Sequence, residues 1–461
     1  MSVAIPPLDL SWLLIESPGS TTHVGALMLF KKPPGRRTVV REIVDAYRNT
    51  RPLPPFNYVP EMLSGGAPHF REVDDWDPRY HVGHLALPAN SSYEDLLRLV
   101  ADLHEPMLDR DRPLFRCWLI DGVPGGRFAI YTKIHHSVID GVSGLKKLYQ
   151  GLSMSADEPI PAPAYAIPTP KSKPKPPTPA LRKLTDTVRG ALAQVGAINQ
   201  ISMGALRKAL GAAVGSHLDG SLPFVARHAP TNEPLRQARG FATLSLPLEE
   251  MRQIGHRMGG TLNDVASTIV DHGLHAYLRE QSQEFGHQFI AMCPVSLRAD
   301  GDTAMGTRVS AMFVRLGEPE ATVGDRMRQV VESVATAKKE LGAMSTDAAM
   351  TYAVTIIALA GAGASTHLDR IGRPACNLVI SNVPGSKEIR YLNGAELVGI
   401  FPVSALAASI GLNVTLSSYR DHMDFGFVTN SAALRDVHAL AEHTRDAYRS
   451  LKKAARVELA G

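Results

Sequence analysis

Before residue 155 the apolar positions mark a mixed α and β pattern. Val24 to Phe30 predicts a strand and Val39 to Arg48 a helix. Ser91 followed by Glu94 has the spacing of a capping box, opening a helix through Leu96, Leu97, Val100 and Leu103. Two strands follow, Phe115 to Ile120 and Arg127 to Ile134, joined by the turn-forming Asp-Gly-Val-Pro-Gly-Gly. The second strand runs directly into His135 and His136. Beyond Gly144, the spacing of Leu145, Leu148 and Leu152 predicts a helix.

From Pro159 to Pro179 there are nine prolines in 21 residues. Proline removes backbone donors and fixes φ, so this stretch predicts an extended linker rather than a helix or central strand. It divides the chain into an N-terminal domain (1–155), a linker (156–180), a helical connector (181–235) and a C-terminal domain (236–461). In the connector, Leu181, Leu184, Val188, Leu192, Val195, Ile198 and Ile201 make an amphipathic helix. A second αβ region begins with a strand at Phe241–Leu246 and a helix to about Met258. Thr261-Leu262-Asn263-Asp264 opens another helix, with a threonine cap and an acid three residues on. Strands are predicted at Phe289–Val295, Arg308–Arg315, Cys376–Ile380, Leu412–Ser417 and Phe425–Val428, and helices near 323–341, 345–362 and 434–453. Two αβ sandwiches sharing a cleft follow from this pattern.

At 461 residues the chain exceeds what one core usually organises. Hydrophobic residues at 44% and charged residues at 20% fit an ordinary soluble globular protein. Cys117, Cys293 and Cys376 form no CxxC pair, which argues against a zinc site or disulfide framework and for a reducing compartment. The start has no basic region before an apolar one, so it does not read as a signal peptide. No uninterrupted apolar window is long enough to span a membrane. The net charge is +4, but Lys171 to Gly215 holds eight basic residues against Asp186 alone. The excess belongs to that one region, so nucleic-acid binding is not indicated.

A histidine leaving a strand into a glycine-containing turn, with Asp140 four residues later, is the strongest chemical signal. Acyl transfer to a hydroxyl needs a base with a pKa near neutrality, which imidazole supplies. Asp140 reads equally as a structural carboxylate pinning the turn. On spacing alone, His135 and His136 also fit polar residues at a strand end.

The run His135-His136-Ser137-Val138-Ile139-Asp140-Gly141 resembles the signature of the CoA-dependent acyltransferase superfamily. Within it the chain resembles the bacterial wax ester synthase/diacylglycerol acyltransferase family nearly end to end. The resemblance takes in Glu16, His23-Val24-Gly25, Pro113-Leu114-Phe115-Arg116, Asn263-Asp264, Pro294-Val295-Ser296-Leu297-Arg298 and Ser381-Asn382-Val383-Pro384-Gly385. Two departures are Phe115 where the family has tryptophan and Thr307 where it often has asparagine. The resemblance implies two chloramphenicol-acetyltransferase-like sandwich domains with the active site in a channel between them. His136 becomes the general base, and Asp140 orders the loop with Arg298 as its ion-pair partner. His135 and Gly141 support that loop. Asn263 is either an oxyanion donor or a helix cap, and Ser381 and Asn382 either line the CoA channel or form an ordinary turn.

The implied reaction is direct transfer from acyl-CoA to a fatty alcohol, and to diacylglycerol, with acyl-CoA as substrate and no cofactor or metal. Burying each methylene is worth about 0.8 kcal/mol, so an apolar tunnel rewards long chains. The helix from Ala348 to Gly363 suits either such a tunnel or the core. Two rivals share features of the sequence: a peptide-synthetase condensation domain, and a non-enzymatic lipid-surface protein. The expected location is cytoplasmic, with the basic 181–201 helix peripheral on a membrane or lipid body.

Overall fold

A computed structural model describes residues 2–62, 67–169, 223–297, 309–365, 372–406 and 409–457. The N-terminal half contains β1 (Ser2–Ala4), α1 (Pro7–Ile15), β2 (His23–Lys31), α2 (Val39–Arg48), β3 (Tyr58–Glu61), β4 (His69–Glu72), α3 (Pro78–His81), β5 (Val82–Ala86), α4 (Tyr93–His104), β6 (Phe115–Val123), β7 (Arg127–His135) and α5 (Gly141–Gln150). After the connector come β8 (Arg239–Pro247), α6 (Leu248–Arg257), α7 (Leu262–Glu280), β9 (Ile290–Ser296), β10 (Val309–Arg315), α8 (Val323–Gly342), α9 (Thr346–Ser365), β11 (Leu378–Val383), β12 (Tyr391–Leu392), β13 (Ala395–Val403), β14 (Leu412–Tyr419), β15 (His422–Asn430) and α10 (Val437–Val457).

Two six-stranded mixed sheets organise the molecule, in the orders β12-β13-β2-β7-β6-β5 and β10-β9-β11-β14-β15-β8. The first is buried on both faces, which explains why β2 and β7 are nearly continuous apolar runs. Met28 and Phe30 pack toward α2 and α5, beside Val40, Ile43, Leu145 and Leu148. Leu27 and Leu29, one residue out of phase, meet Leu96, Leu97 and Val100 of α4. That second cluster also includes Phe241 of β8 and Val428 of β15, so the two sheets share a core. On its other face the second sheet packs Leu244, Val414, Phe425 and Phe427 against α6, α7, α8 and α10.

The chain crosses between the two units. β13 lies in the C-terminal sequence yet pairs antiparallel with β2, from Glu396 opposite Lys31 to Val403 opposite Gly25. A division into residues 1–155 and 236–461 therefore misses a strand that completes the first sheet. Gly399 and Pro402 hid it, because both residues weaken a strand pattern; Gly399 borders a bulge that begins after Leu397.

Part of the proline-rich segment is also not a free tether. Tyr165 is buried, donates to the Tyr47 carbonyl at 2.6 Å and stacks on Phe115 at 5.0 Å. The capping box begins one residue later than expected. Ser92 and Asp95 exchange the two bonds, while Ser91 still belongs to a turn whose Asn90 has φ 69°. α9 buries Ala349, Tyr352, Ala353 and Ile356, with neighbours on α1 and β10. Among the described residues no single helix is long and apolar enough to cross a membrane.

Candidate active site

His135 is the last residue of β7 and sits opposite His23 of β2. It is fully buried. Its Nδ1 accepts the Ser137 amide at 3.1 Å and lies 2.7 Å from the Ser137 hydroxyl. An accepting Nδ1 assigns the proton to Nε2, which faces the Thr22 hydroxyl at 3.0 Å and Glu16 Oε2 at 3.4 Å. The Thr22 hydroxyl in turn donates to the Trp12 carbonyl at 3.1 Å. Both ring nitrogens of His135 are thus committed.

Glu16 anchors this layer. Its side chain is fully buried and takes Arg110 Nη2 at 2.9 Å and the Thr22 amide at 3.1 Å. Burial alone would raise its carboxyl, but its contact with His135, with Arg110 and the Thr22 amide, holds it below the ordinary value. His23 lies 4.0 Å from Glu16 and hydrogen-bonds the His104 carbonyl. Burial, then the nearby Lys133 charge, keeps His23 neutral well below the usual histidine range. Burial likewise pulls Lys133 down to about 7. It donates to the carbonyls of Leu103 and Pro106.

His136 differs. It is partly exposed, its amide donates to the Thr22 carbonyl at 2.9 Å, and its ring stacks on Trp12. Nδ1 is buried and meets no side chain among the described residues, which leaves Nε2 as the nitrogen a substrate can reach. Burial lowers its pKa; its own carbonyl and Asp140 oppose that shift, and His135 adds to it, leaving the net value below 6.5. The lowered value favours the neutral ring at physiological pH.

Asp140 caps α5, accepting the Ser143 amide at 2.8 Å and hydroxyl at 3.1 Å. It is buried, and it sits close enough to His136 to favour the imidazolium. Arg298, the expected ion-pair partner, lies outside the described residues, as do Thr307 and the 181–201 helix. Gly141 opens α5 without a positive φ. A methyl there would make ordinary contact with Val383 at 3.8 Å, so backbone geometry does not demand this glycine.

From the second unit, Asn382 Nδ2 donates to Asn263 Oδ1 at 2.7 Å, tying the end of β11 to the first turn of α7. Val383, next to Asn382, packs with Ile139 and Leu145 of the histidine turn and α5. This seats the Asn263–Asn382 pair at the seam between the units. Ser381 is partly buried one residue earlier. Asp264, not Asn263, makes the capping box with Thr261. Phe115 is a buried core ring stacked on His81. Sequence reasoning assigned no role to Trp12, Thr22 and Arg110. Trp12 had a signal, since it precedes Glu16 by one helical turn.

Two αβ units, the first completed by β13 from the C-terminal sequence, make up the two-domain α/β fold of a solved acyltransferase and of condensation domains. A condensation domain of the calcium-dependent antibiotic synthetase shares the fold, at 17% identity and a TM-score of 0.57 over 99% of this chain and 96% of that one. The chain itself belongs to the wax ester synthase/diacylglycerol acyltransferase family and is an O-acyltransferase. The family's catalytic-domain profile matches residues 5–266 and its C-terminal-domain profile residues 305–452. The wax ester synthase/diacylglycerol acyltransferase of Marinobacter aquaeolei VT8 superposes with a TM-score of 0.75 at 26% identity, covering 98% of this chain and all of that one. The O-acyltransferase WSD of Acinetobacter baylyi is 30% identical over 446 residues, 95% of each chain. A Mycobacterium tuberculosis protein described as a probable diacylglycerol O-acyltransferase is 31% identical, over 98% of this chain and 97% of its own.

Proposed function

We propose that the chain transfers a long-chain acyl group from acyl-CoA to a fatty alcohol or diacylglycerol, with His136 as general base. The observation that carries this is the division of labour between the histidines. His135 has both nitrogens engaged beneath the turn, whereas His136 keeps Nε2 available.

In this reading Nε2 takes the acceptor hydroxyl proton as the oxygen attacks the thioester carbonyl. The tetrahedral oxyanion collapses, the C–S bond breaks, and the imidazolium protonates the CoA thiolate. Asn263 supplies the oxyanion donor: its Oδ1 is occupied by Asn382, so its NH₂ remains to donate. Asn382 Oδ1 is buried without a partner among the described residues, which suits it and Ser381 to a polar wall facing CoA. Asp140 orders the turn, with Arg298 as partner across the seam. The protein works in the cytoplasm, peripheral to membranes or lipid bodies, where its substrates partition.

The test is purified protein with long-chain acyl-CoA and either hexadecanol or diacylglycerol, reading thiol release and ester. His136→Ala is expected to lose roughly 10²–10⁴ in rate while folding normally. Thiol release at wild-type rate by that variant rejects the base. Amide formation with an amine acceptor, and none with alcohol, favours the condensation reading instead.

A further inference from the structure

The indole of Trp12 and the imidazole of His136 lie face to face, with centroids 4.5 Å apart and planes inclined by 21°. The backbone fixes this arrangement through Thr22, whose hydroxyl donates to the Trp12 carbonyl and whose carbonyl accepts the His136 amide. α1, which carries Trp12, is seated by α9: Gly361 runs so close to Ile15 that a methyl there would come within 2.5 Å of it. A buried indole N–H usually finds an acceptor. Trp12 Nε1 is buried and has none among the described residues. The ring is therefore held for its face, not for its polar edge. His136 Nδ1 meets no side chain among the described residues; its own carbonyl is the one hydrogen-bonding influence on the ring, so the indole face supplies the side-chain restraint on the imidazole plane.

We propose that Trp12 is a positioning residue for His136, fixing the plane of the imidazole and keeping water off one of its faces. This rests on the reading of His136 as the base. A ring freed from its stack turns about its Cβ–Cγ bond and spends less time aimed at the acceptor hydroxyl. That loss falls on kcat and not on binding, because the indole stacks on the base and lies behind the reacting atoms. The uncovered face also hydrates. Burial is the largest influence on the proton affinity of His136, so hydration moves that affinity up. The charged and titratable groups around it are His135 from β7, Asp140 from the cap of α5, and Glu16, just past the end of α1, behind His135. None is altered by substituting Trp12.

Trp12→Leu is expected to lower kcat roughly 10- to 100-fold with little change in KM, and to move the acidic limb of kcat/KM to higher pH. Trp12→Phe keeps a stacking ring without the N–H and is expected to restore most of kcat and return the limb to its wild-type position. A second readout needs no activity, since an imidazolium against an indole face quenches its emission. Wild-type fluorescence should fall through a step below pH 6.5 that is missing from both Trp12→Phe and His136→Gln. If Trp12→Leu does not fold, Trp12→Phe and the wild-type titration still decide. Unchanged kcat and limb in Trp12→Leu, a limb moving to lower pH, or no emission step overturns the proposal. Full acyl transfer by His136→Gln overturns the base reading and this proposal together. Loss in His136→Gln beside an unaffected Trp12→Leu overturns this proposal alone.

Discussion

Arg110 grips the Glu16 carboxylate with two nitrogens, Nη2 at 2.9 Å and Nε at 3.3 Å, directly beneath the double histidine. Glu16→Gln removes the charge from a fully buried partner of His135. It is expected to cost about 1.5–3 kcal/mol at neutral pH, the worth of hydrogen bonds to a charged group. The carboxyl is held below its ordinary 4.5 in the folded state, so its stabilisation is present above pH 4.5 and is lost as pH falls further. Denaturant unfolding at several pH values should show wild type and variant converging as pH falls below 4.5. A constant gap would assign the loss to packing.

Asp140→Asn preserves a capping side chain for α5, since asparagine caps as well as aspartate. It deletes the negative charge that favours the His136 imidazolium. The pKa of His136 should fall, moving the acidic limb of kcat/KM to lower pH. A pH–rate profile of the purified variant checks this. With Arg298→Met, a double-mutant cycle should give a coupling of about 0.5–3 kcal/mol if the proposed pair forms, and additive effects if it does not.

Asp424 on β15 links the two sheets, accepting the Ile400 amide of β13 at 2.9 Å and the Ser245 hydroxyl of β8. Burial raises it to about 6 from an ordinary 3.8. The ionised form is thus the costly one, and wild-type stability should fall as pH rises from about 4 to 6. Asp424→Asn is expected to remove that dependence and to melt higher than wild type at pH 8. Calorimetry across this range would contradict it if the variant were less stable at pH 8 than at pH 5.

Arg326 and Asp271 pair at 2.5 Å with almost no exposure, and Arg326 also binds the carbonyls of Pro319 and Ala321. Arg326→Met leaves a buried carboxylate with the Gly317 amide but without its cation, and should cost about 3–5 kcal/mol. Burial already places Asp271 at about 6, and losing the arginine raises it further. The destabilisation should therefore be larger at pH 8 than at pH 5, where the carboxyl protonates instead. Equal losses at both values would mean packing dominates.

Local chemistry made much of this protein legible from its sequence. Val39–Arg48 and the Thr261–Asp264 cap were readable because hydrophobic period and capping act within a few residues. The double histidine and Asp140 were readable because a strand, a turn and a cap follow one another in the chain. What needed the tertiary structure was every relation between distant segments. β13 pairs with a strand more than 360 residues earlier, and its Gly399 and Pro402 suppress the local pattern that would have announced it. Trp12 reaches His136, and Glu16 reaches both His135 and Arg110, only because β2 and β7 bring their flanking loops together. Those contacts also decide which imidazole has both nitrogens engaged. Two adjacent imidazoles are alike in local chemistry, and only the fold buries His135 with both nitrogens engaged while leaving His136 partly exposed.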